Sequence, residues 1–243
     1  MDVGYVKGEN KSPPFQDETL YRTLIGALLY ISVCAASATI LGRNVCSPSE
    51  ADWVAAKRVA RYLKHTKGWR LLYNDADGEL VGHSDADWGG DIVDRKSTTG
   101  FVFHYGGAAI SWASRKQNCV TLSSMESEYV ALSETVQELL WIHALLEDFG
   151  ECVKQPVKLY EDNQSCRKFI SSERSNRRSK HIETKEHFIR QHCEGGLMQL
   201  EYRLTEDMVA DILTKPLNAI KQLKFSKMLG LSSSNGNVVE EEC

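Results

Sequence analysis

At 243 residues, 42% of them hydrophobic and 26% charged, the chain has the composition of an ordinary globular protein. It is long enough to bury a core without disulfide or metal staples. A net charge of −4 excludes a uniformly basic nucleic-acid binder. Cysteines at 34, 46, 119, 152, 166, 193 and 243 are odd in number and no two are three apart, which speaks against a disulfide framework or a CxxC zinc knuckle.

Residues 1–18 are polar, contain Pro13-Pro14 and show no periodicity, so they read as a flexible lead-in without a secretory signal. Tyr21, Leu24, Leu28 and Ile31 then recur at helical steps, and Trp53, Val54, Ala56, Val59, Ala60 and Leu63 form a second amphipathic helix after Ser47-Pro48-Ser49-Glu50. The apolar-looking run from Leu24 to Leu41 is broken by Gly26, Tyr30, Ser32, Ser37 and Thr39. It predicts a buried helix, since a membrane span needs about 20 mostly apolar residues. These features together predict an intracellular, reduced, soluble protein.

Gly68 closes the helical region and short strands follow. Leu71 to Tyr73 and Leu80 to Ser84 flank the turn Asp75-Ala76-Asp77-Gly78, and Gly100 to His104 and Ala109 to Trp112 flank Gly106-Gly107. Ser123 with Glu126 forms a capping box for a helix whose stripe is Met125, Tyr129, Leu132, Val136 and Leu140. Val157 to Tyr160 is a strand ending in Glu161-Asp162, with a short helix from Asn163. A helix at Glu183–Cys193, a strand at Leu197–Leu204 and a helix at Met208–Thr214, stopped by Pro216, complete the pattern. Counted from Leu80 the order is β-β-β-α-β-α-α-β-α. It predicts an α/β fold in which the first three strands pair as a meander and helices cover the sheet.

Two features carry chemistry. Between Arg174 and Arg190 stand six Lys/Arg and two Glu, a local +4 that leaves −8 on the remainder. Such a segment can hold a polyanion beside metal-binding carboxylates, or be a solvated helix face. Magnesium takes oxygen ligands, so a catalytic site needs carboxylates converging from different elements. Asp85, Asp162 and Asp211 stand at predicted strand or helix ends, and Glu128 lies early in the long helix. Each also has a structural reading: Asp162 as a helix cap, Asp85 as a turn residue, Asp211 as a solvated position. Glu126 and Glu128 lie about 200° apart around the helix. The cap already employs Glu126, which leaves Glu128 as the better ligand.

At these residues the chain resembles the ribonuclease H region of copia-type retrotransposon Pol polyproteins. The resemblance rests on Tyr21-Arg22-Thr23-Leu24-Ile25-Gly26, His83-Ser84-Asp85-Ala86-Asp87-Trp88, Arg95-Lys96-Ser97-Thr98-Thr99-Gly100 and Ser111-Trp112-Ala113-Ser114-Arg115-Lys116-Gln117. Further on it rests on Glu128-Tyr129-Val130-Ala131-Leu132-Ser133-Glu134, Asp162-Asn163, Lys180-His181-Ile182-Glu183 and Ala210 to Leu217. These stretches keep the family's order across about residues 19 to 231. The resemblance implies a ribonuclease H-like mixed five-stranded sheet flanked by helices, at 70–217. It also implies a helical end of the reverse transcriptase at 19–69 and a C-terminal helix and polar tail at 218–243. It implies an acidic tetrad of Asp85, Glu128, Asp162 and Asp211 that is both catalytic and metal-holding, with two Mg2+ ions for which Mn2+ can substitute. Asp85 is preferred to Asp87 because the Asp85-Ala86 pair matches the opening of such sites.

The activity implied is cleavage of the RNA strand of RNA–DNA hybrids during reverse transcription. The hybrid is the expected partner, beside the reverse transcriptase part of the same polyprotein, in the cytoplasm within virus-like particles and in the nucleus, with no membrane. Arg95, Lys96, Arg177, Arg178, Lys180 and His181 are the expected nucleic-acid contacts; Arg95 to Thr99 read equally as turn residues. Three departures stand out. No Tyr-x-Asp-Asp polymerase motif occurs. Cys34-Ala35-Ala36 follows directly on Tyr30 to Val33, where the family carries Thr-Arg-Pro-Asp-Ile. Arg203 to Asp207 occupies the place of a histidine that many ribonucleases H carry, and His181 and His187 lie on the preceding segment. A decayed or domesticated fragment that keeps the fold without catalysis is the alternative function. A connection module that assembles only with a polymerase is a third.

Overall fold

A computed structural model describes residues 12–30, 41–42, 44–74, 78–91, 93–170 and 180–233. The chain divides into two compact units, one of residues 73–214 and one that joins 1–72 to 215–243.

The second of these contains helices α1 (Glu18–Tyr30) and α2 (Glu50–Thr66) and strand β1 (Trp69–Leu71). Ser49 caps α2: it accepts from the Asp52 backbone N–H, while the Asp52 carboxylate accepts from the Ser49 N–H at 2.7 Å. Tyr21, Ile25 and Leu28 of α1 pack with Ala55, Ala56 and Val59 of α2, and the buried Tyr21 hydroxyl donates to the Leu41 carbonyl at 2.9 Å. β1 pairs antiparallel with a strand at Leu231–Ser233, Leu71 opposite Leu231. The strand expected at Leu71 to Tyr73 thus sits earlier and pairs outside the main sheet. Ile31 and the turn at 75–77 lie outside the described residues.

The unit of residues 73–214 begins its sheet with β2 (Val81–Asp87), β3 (Thr98–Tyr105) and β4 (Ala108–Lys116). α3 (Ser124–Asp148), β5 (Val157–Glu161), α4 (Gln164–Ile170), α5 (Lys180–Glu194), β6 (Met198–Tyr202) and α6 (Asp211–Thr214) follow. In the other unit α7 (Ala219–Met228) precedes the last strand, β7 (Leu231–Ser233). The five strands run in the order β4-β3-β2-β5-β6. β2, β3 and β4 pair antiparallel, whereas β2–β5 and β5–β6 pair parallel. This is the ribonuclease H-like mixed five-stranded α/β sheet.

Alternate residues of a strand point to opposite faces of its sheet. On one face Phe101, Phe103 and Leu159 join Tyr129, Leu132, Val136 and Leu139 of α3 in the main core. Ser84 accepts from the Thr135 hydroxyl at 3.1 Å on that side. Burying each such aromatic or aliphatic side chain stabilises by about 1.5–3 kcal/mol. Asp85 and Gly100 face the other way, onto α6: a methyl group on Gly100 would lie 2.5 Å from Thr214 Cγ2.

Two local expectations change. The Ser123 side chain does cap α3, but the Glu126 carboxylate accepts from the Leu122 N–H at 2.8 Å, one residue before the cap. The last predicted helix is shorter than its pattern: Thr205–Asp207 is one turn of 3-10 helix and the α-helix proper starts at Asp211. Among the described residues no helix is long and apolar enough to cross a membrane.

Candidate metal centre

Asp85 is fully buried and lies within β2, not in a turn. Its parallel neighbour β5 ends at Glu161, and the register His83–Tyr160 brings Asp162 level with Asp85 two residues further along each strand. Glu128, also buried, comes from the second turn of α3. One carboxylate oxygen from each of Asp85, Glu128 and Asp162 lies within 4.8 Å of the other two. Three carboxylates from three elements therefore share one small volume. Negative charges that close repel one another, and a divalent cation relieves the conflict. The donor set is all hard oxygen, which suits magnesium or manganese.

Neighbouring residues remove the structural readings of these acids. Asn163, not Asp162, caps α4: its Oδ1 accepts the Cys166 N–H at 3.0 Å. Asp162 Oδ2 instead accepts from the Thr205 hydroxyl at 2.7 Å. Asp85 Oδ2 accepts from the Thr214 hydroxyl. Asp87 does a different job, accepting the Thr98 N–H and so tying the end of β2 to the start of β3. The buried Glu161 next to Asp162 accepts the Asn163 N–H at 2.9 Å. Burial pushes the Cys166 thiol well above its ordinary value, and the negative charges of Glu161 and Glu128 add to the shift.

Asp211 is buried at the first position of α6 but is not one of the three acids whose oxygens converge. It enters the site neighbourhood through its helix, because Thr214, one turn on, contacts Asp85. Neither Thr205 nor Thr214 was singled out from sequence. Thr214 lies inside the Ala210 to Leu217 stretch, which is the signal that could have pointed to it. Thr205 stands in the segment that departs from the histidine pattern.

The expected nucleic-acid contacts fall into two groups. Arg95 is exposed and sits at φ 58°, in a loop closed by Arg95 N–H to Asp91 O at 2.7 Å. Lys96 in the same loop is half-buried. Asp91 and Asp94 of that loop grip Lys116 at 2.6 and 2.7 Å. The loop is thus braced, with the Arg95 side chain left outward. Arg177 and Arg178 lie outside the described residues. Lys180 and His181 open α5, and their side chains also lie outside them. His187 is on α5 and does not belong to the convergent group of acids. His83, two residues before Asp85, is buried against Tyr160 at 5.0 Å. Its imidazole is held neutral by burial first and by His104 and Arg203 second.

No family model matches the chain. The retrovirus-related Pol polyprotein from transposon TNT 1-94 of Nicotiana tabacum is 35% identical over 219 residues, which is 88% of this chain and 16% of the polyprotein. A secreted RxLR effector protein, number 161, of Plasmopara viticola is 43% identical over 128 residues, 50% of this chain and 90% of the effector. Among solved structures, the ribonuclease H1 LC11 from compost is similar at 16% identity and TM-score 0.45, covering 56% of this chain and 93% of that one. The chain therefore spans less than a fifth of the polyproteins it matches across most of its own length. Over 88–89% of its own length the chain is homologous to retrovirus-related Pol polyproteins at 33–35% identity, and its five-stranded unit has the strand order and mixed pairing implied by the ribonuclease H resemblance.

Proposed function

We propose that the chain is a metal-dependent ribonuclease H-type endonuclease that cuts the RNA strand of RNA–DNA hybrids during reverse transcription of a copia-type element. The observation that carries this reading is the convergence of Asp85, Glu128 and Asp162 oxygens within 4.8 Å from three separate elements. These three carboxylates hold magnesium, with manganese able to substitute, and Asp211 is the fourth acid on the neighbouring helix. A divalent cation held by Asp85, Glu128 and Asp162 would supply activation of a water for attack on the phosphodiester and charge stabilisation at the leaving 3′ oxygen.

The remaining work belongs to the chain. The buried carboxylates fix the coordination geometry. The basic segment with Arg177, Arg178, Lys180 and His181 holds the phosphate backbone, and Arg95 and Lys96 contact it from the loop between β2 and β3. RNA is told from DNA by its 2′-hydroxyls and duplex shape, not by base sequence. The reverse transcriptase portion of the polyprotein is the natural partner in delivering the hybrid, within cytoplasmic particles.

A second reading, a fragment that keeps the fold without catalysis, is favoured by one observation: three, not four, of the expected acids have oxygens converging within 4.8 Å. A labelled hybrid incubated with the chain, with and without magnesium, separates the two. Magnesium-dependent shortening of the RNA strand, with the DNA strand intact, supports the nuclease. An uncut hybrid under all metal conditions overturns it.

A further inference from the structure

An aspartate side chain does not fix its own carboxylate plane, because the terminal torsion is broad and roughly two-fold. Three carboxylates whose oxygens lie within 4.8 Å of one another also repel. Left to themselves in the metal-free protein they would turn apart. Two hydroxyls oppose that rotation. Thr205 donates to Asp162 Oδ2 at 2.7 Å, and Thr214 donates to Asp85 Oδ2.

Both threonines come from one stretch that also carries Asp211. It leaves the sheet at Arg203, whose N–H donates to the Glu161 carbonyl at 3.1 Å. Between the two threonines Met208, Val209 and Ala210 are fully buried, so packing anchors the stretch. The donors are neutral. A lysine or arginine in either place would also hold the carboxylate, but it would cancel the negative potential that draws a cation in.

We propose that Thr205 and Thr214 are positioning residues of the acidic centre, each clamping one aspartate so that its remaining lone pairs point at a shared divalent cation. This rests on the proposed metal site, and the experiment separates the two. Thr214→Val and Thr205→Val keep the side-chain shape and remove the hydroxyl; Thr214→Ser and Thr205→Ser keep the hydroxyl. Each variant is titrated with Mn2+ and with Mg2+, without nucleic acid, following melting temperature and heat of binding, and circular dichroism in chelator checks the fold. Outer-shell partners of this kind typically govern metal affinity by about 10–100-fold. The valine variants are expected to weaken cation binding by about that factor, while the serine variants stay within about threefold of the parent. Equal cation binding by parent and valine variants overturns the clamp, even if the parent cuts hybrid. So does a parent that binds no cation. Binding that follows the hydroxyl in a chain that never cuts hybrid supports the clamp and overturns only the nuclease reading.

Discussion

Asp85 of β2 and Gly100 of β3 are direct partners across the antiparallel ladder, so the position facing the central acid of the site has no side chain. α6 fills that gap. A Cβ on Gly100 would lie 2.5 Å from Thr214 Cγ2, 3.0 Å from Leu213 Cβ and 3.1 Å from the Ala210 carbonyl. Only the first of these belongs to the end of a side chain; the carbonyl is backbone and cannot swing away. Gly100→Ala is therefore expected to push α6 off the sheet and destabilise the protein by about 1–3 kcal/mol, the usual cost of overpacking. Thermal melting checks the stability. An unchanged melting temperature would show that α6 does not need the gap.

Asp162→Asn is expected to abolish magnesium-dependent cleavage and leave the fold and hybrid binding intact. The cap of α4 is Asn163, so the substitution does not touch it. The amide oxygen can still accept from Thr205. What is lost is charge, on which magnesium depends. Without metal the variant should melt at or slightly above the parent, because one of three crowded like charges is gone. Cleavage of labelled hybrid and melting with and without magnesium read both effects.

Asp87→Asn is the matched control. Its side chain accepts the Thr98 N–H, and an asparagine oxygen serves that bond equally. Activity should persist. Loss of cleavage in Asp87→Asn with full cleavage in Asp162→Asn would move the metal site off the three acids named here.

For the basic segment, simultaneous neutralisation of Arg177, Arg178 and Lys180 should weaken hybrid binding for every sequence tested. The salt dependence should flatten by roughly one unit of slope per lost phosphate contact. Filter binding across a range of salt concentrations measures the slope. An unchanged slope would return the segment to a solvated helix face.

Glu134 of α3 gives a pH signature. Burial raises its carboxyl above the ordinary glutamate value, against the opposing charges of Lys185 and Arg115. A raised carboxyl contributes stability that is present at low pH, below the unfolded value, and is lost as pH rises through the folded value. Glu134→Gln removes that loss. The melting-temperature difference, variant minus parent, should grow from about pH 4 to about pH 7. A difference that is flat with pH would refute the assignment.

The element order of the sheet unit was legible because strand alternation and helical stripes are local signals, and Asp85, Glu128 and Asp162 could be set on elements from them. The preference for Asp162 over its capping role was not. Asp162 and Asn163 are adjacent residues with equal capping grammar, and only the α4 N–H that reaches Asn163 decides between them. The two threonine clamps join residues 43 and 129 positions apart, and no periodicity encodes such a contact. β1 was misplaced for a similar reason: its partner is a three-residue strand at the far end of the chain.

That pairing has a consequence for how the molecule is made. The helical unit is assembled from residues on both sides of the sheet unit, which is itself contiguous from Tyr73 to Thr214. On the ribosome α1 and α2 emerge before the sheet unit, yet Leu71 meets Leu231 only after that whole unit has been synthesised. Domains generally fold as units during synthesis. Of the two units, the one begun earlier is therefore completed later. A chain stopped between Thr214 and Leu231 retains every strand of the five-stranded sheet but deprives β1 of its partner.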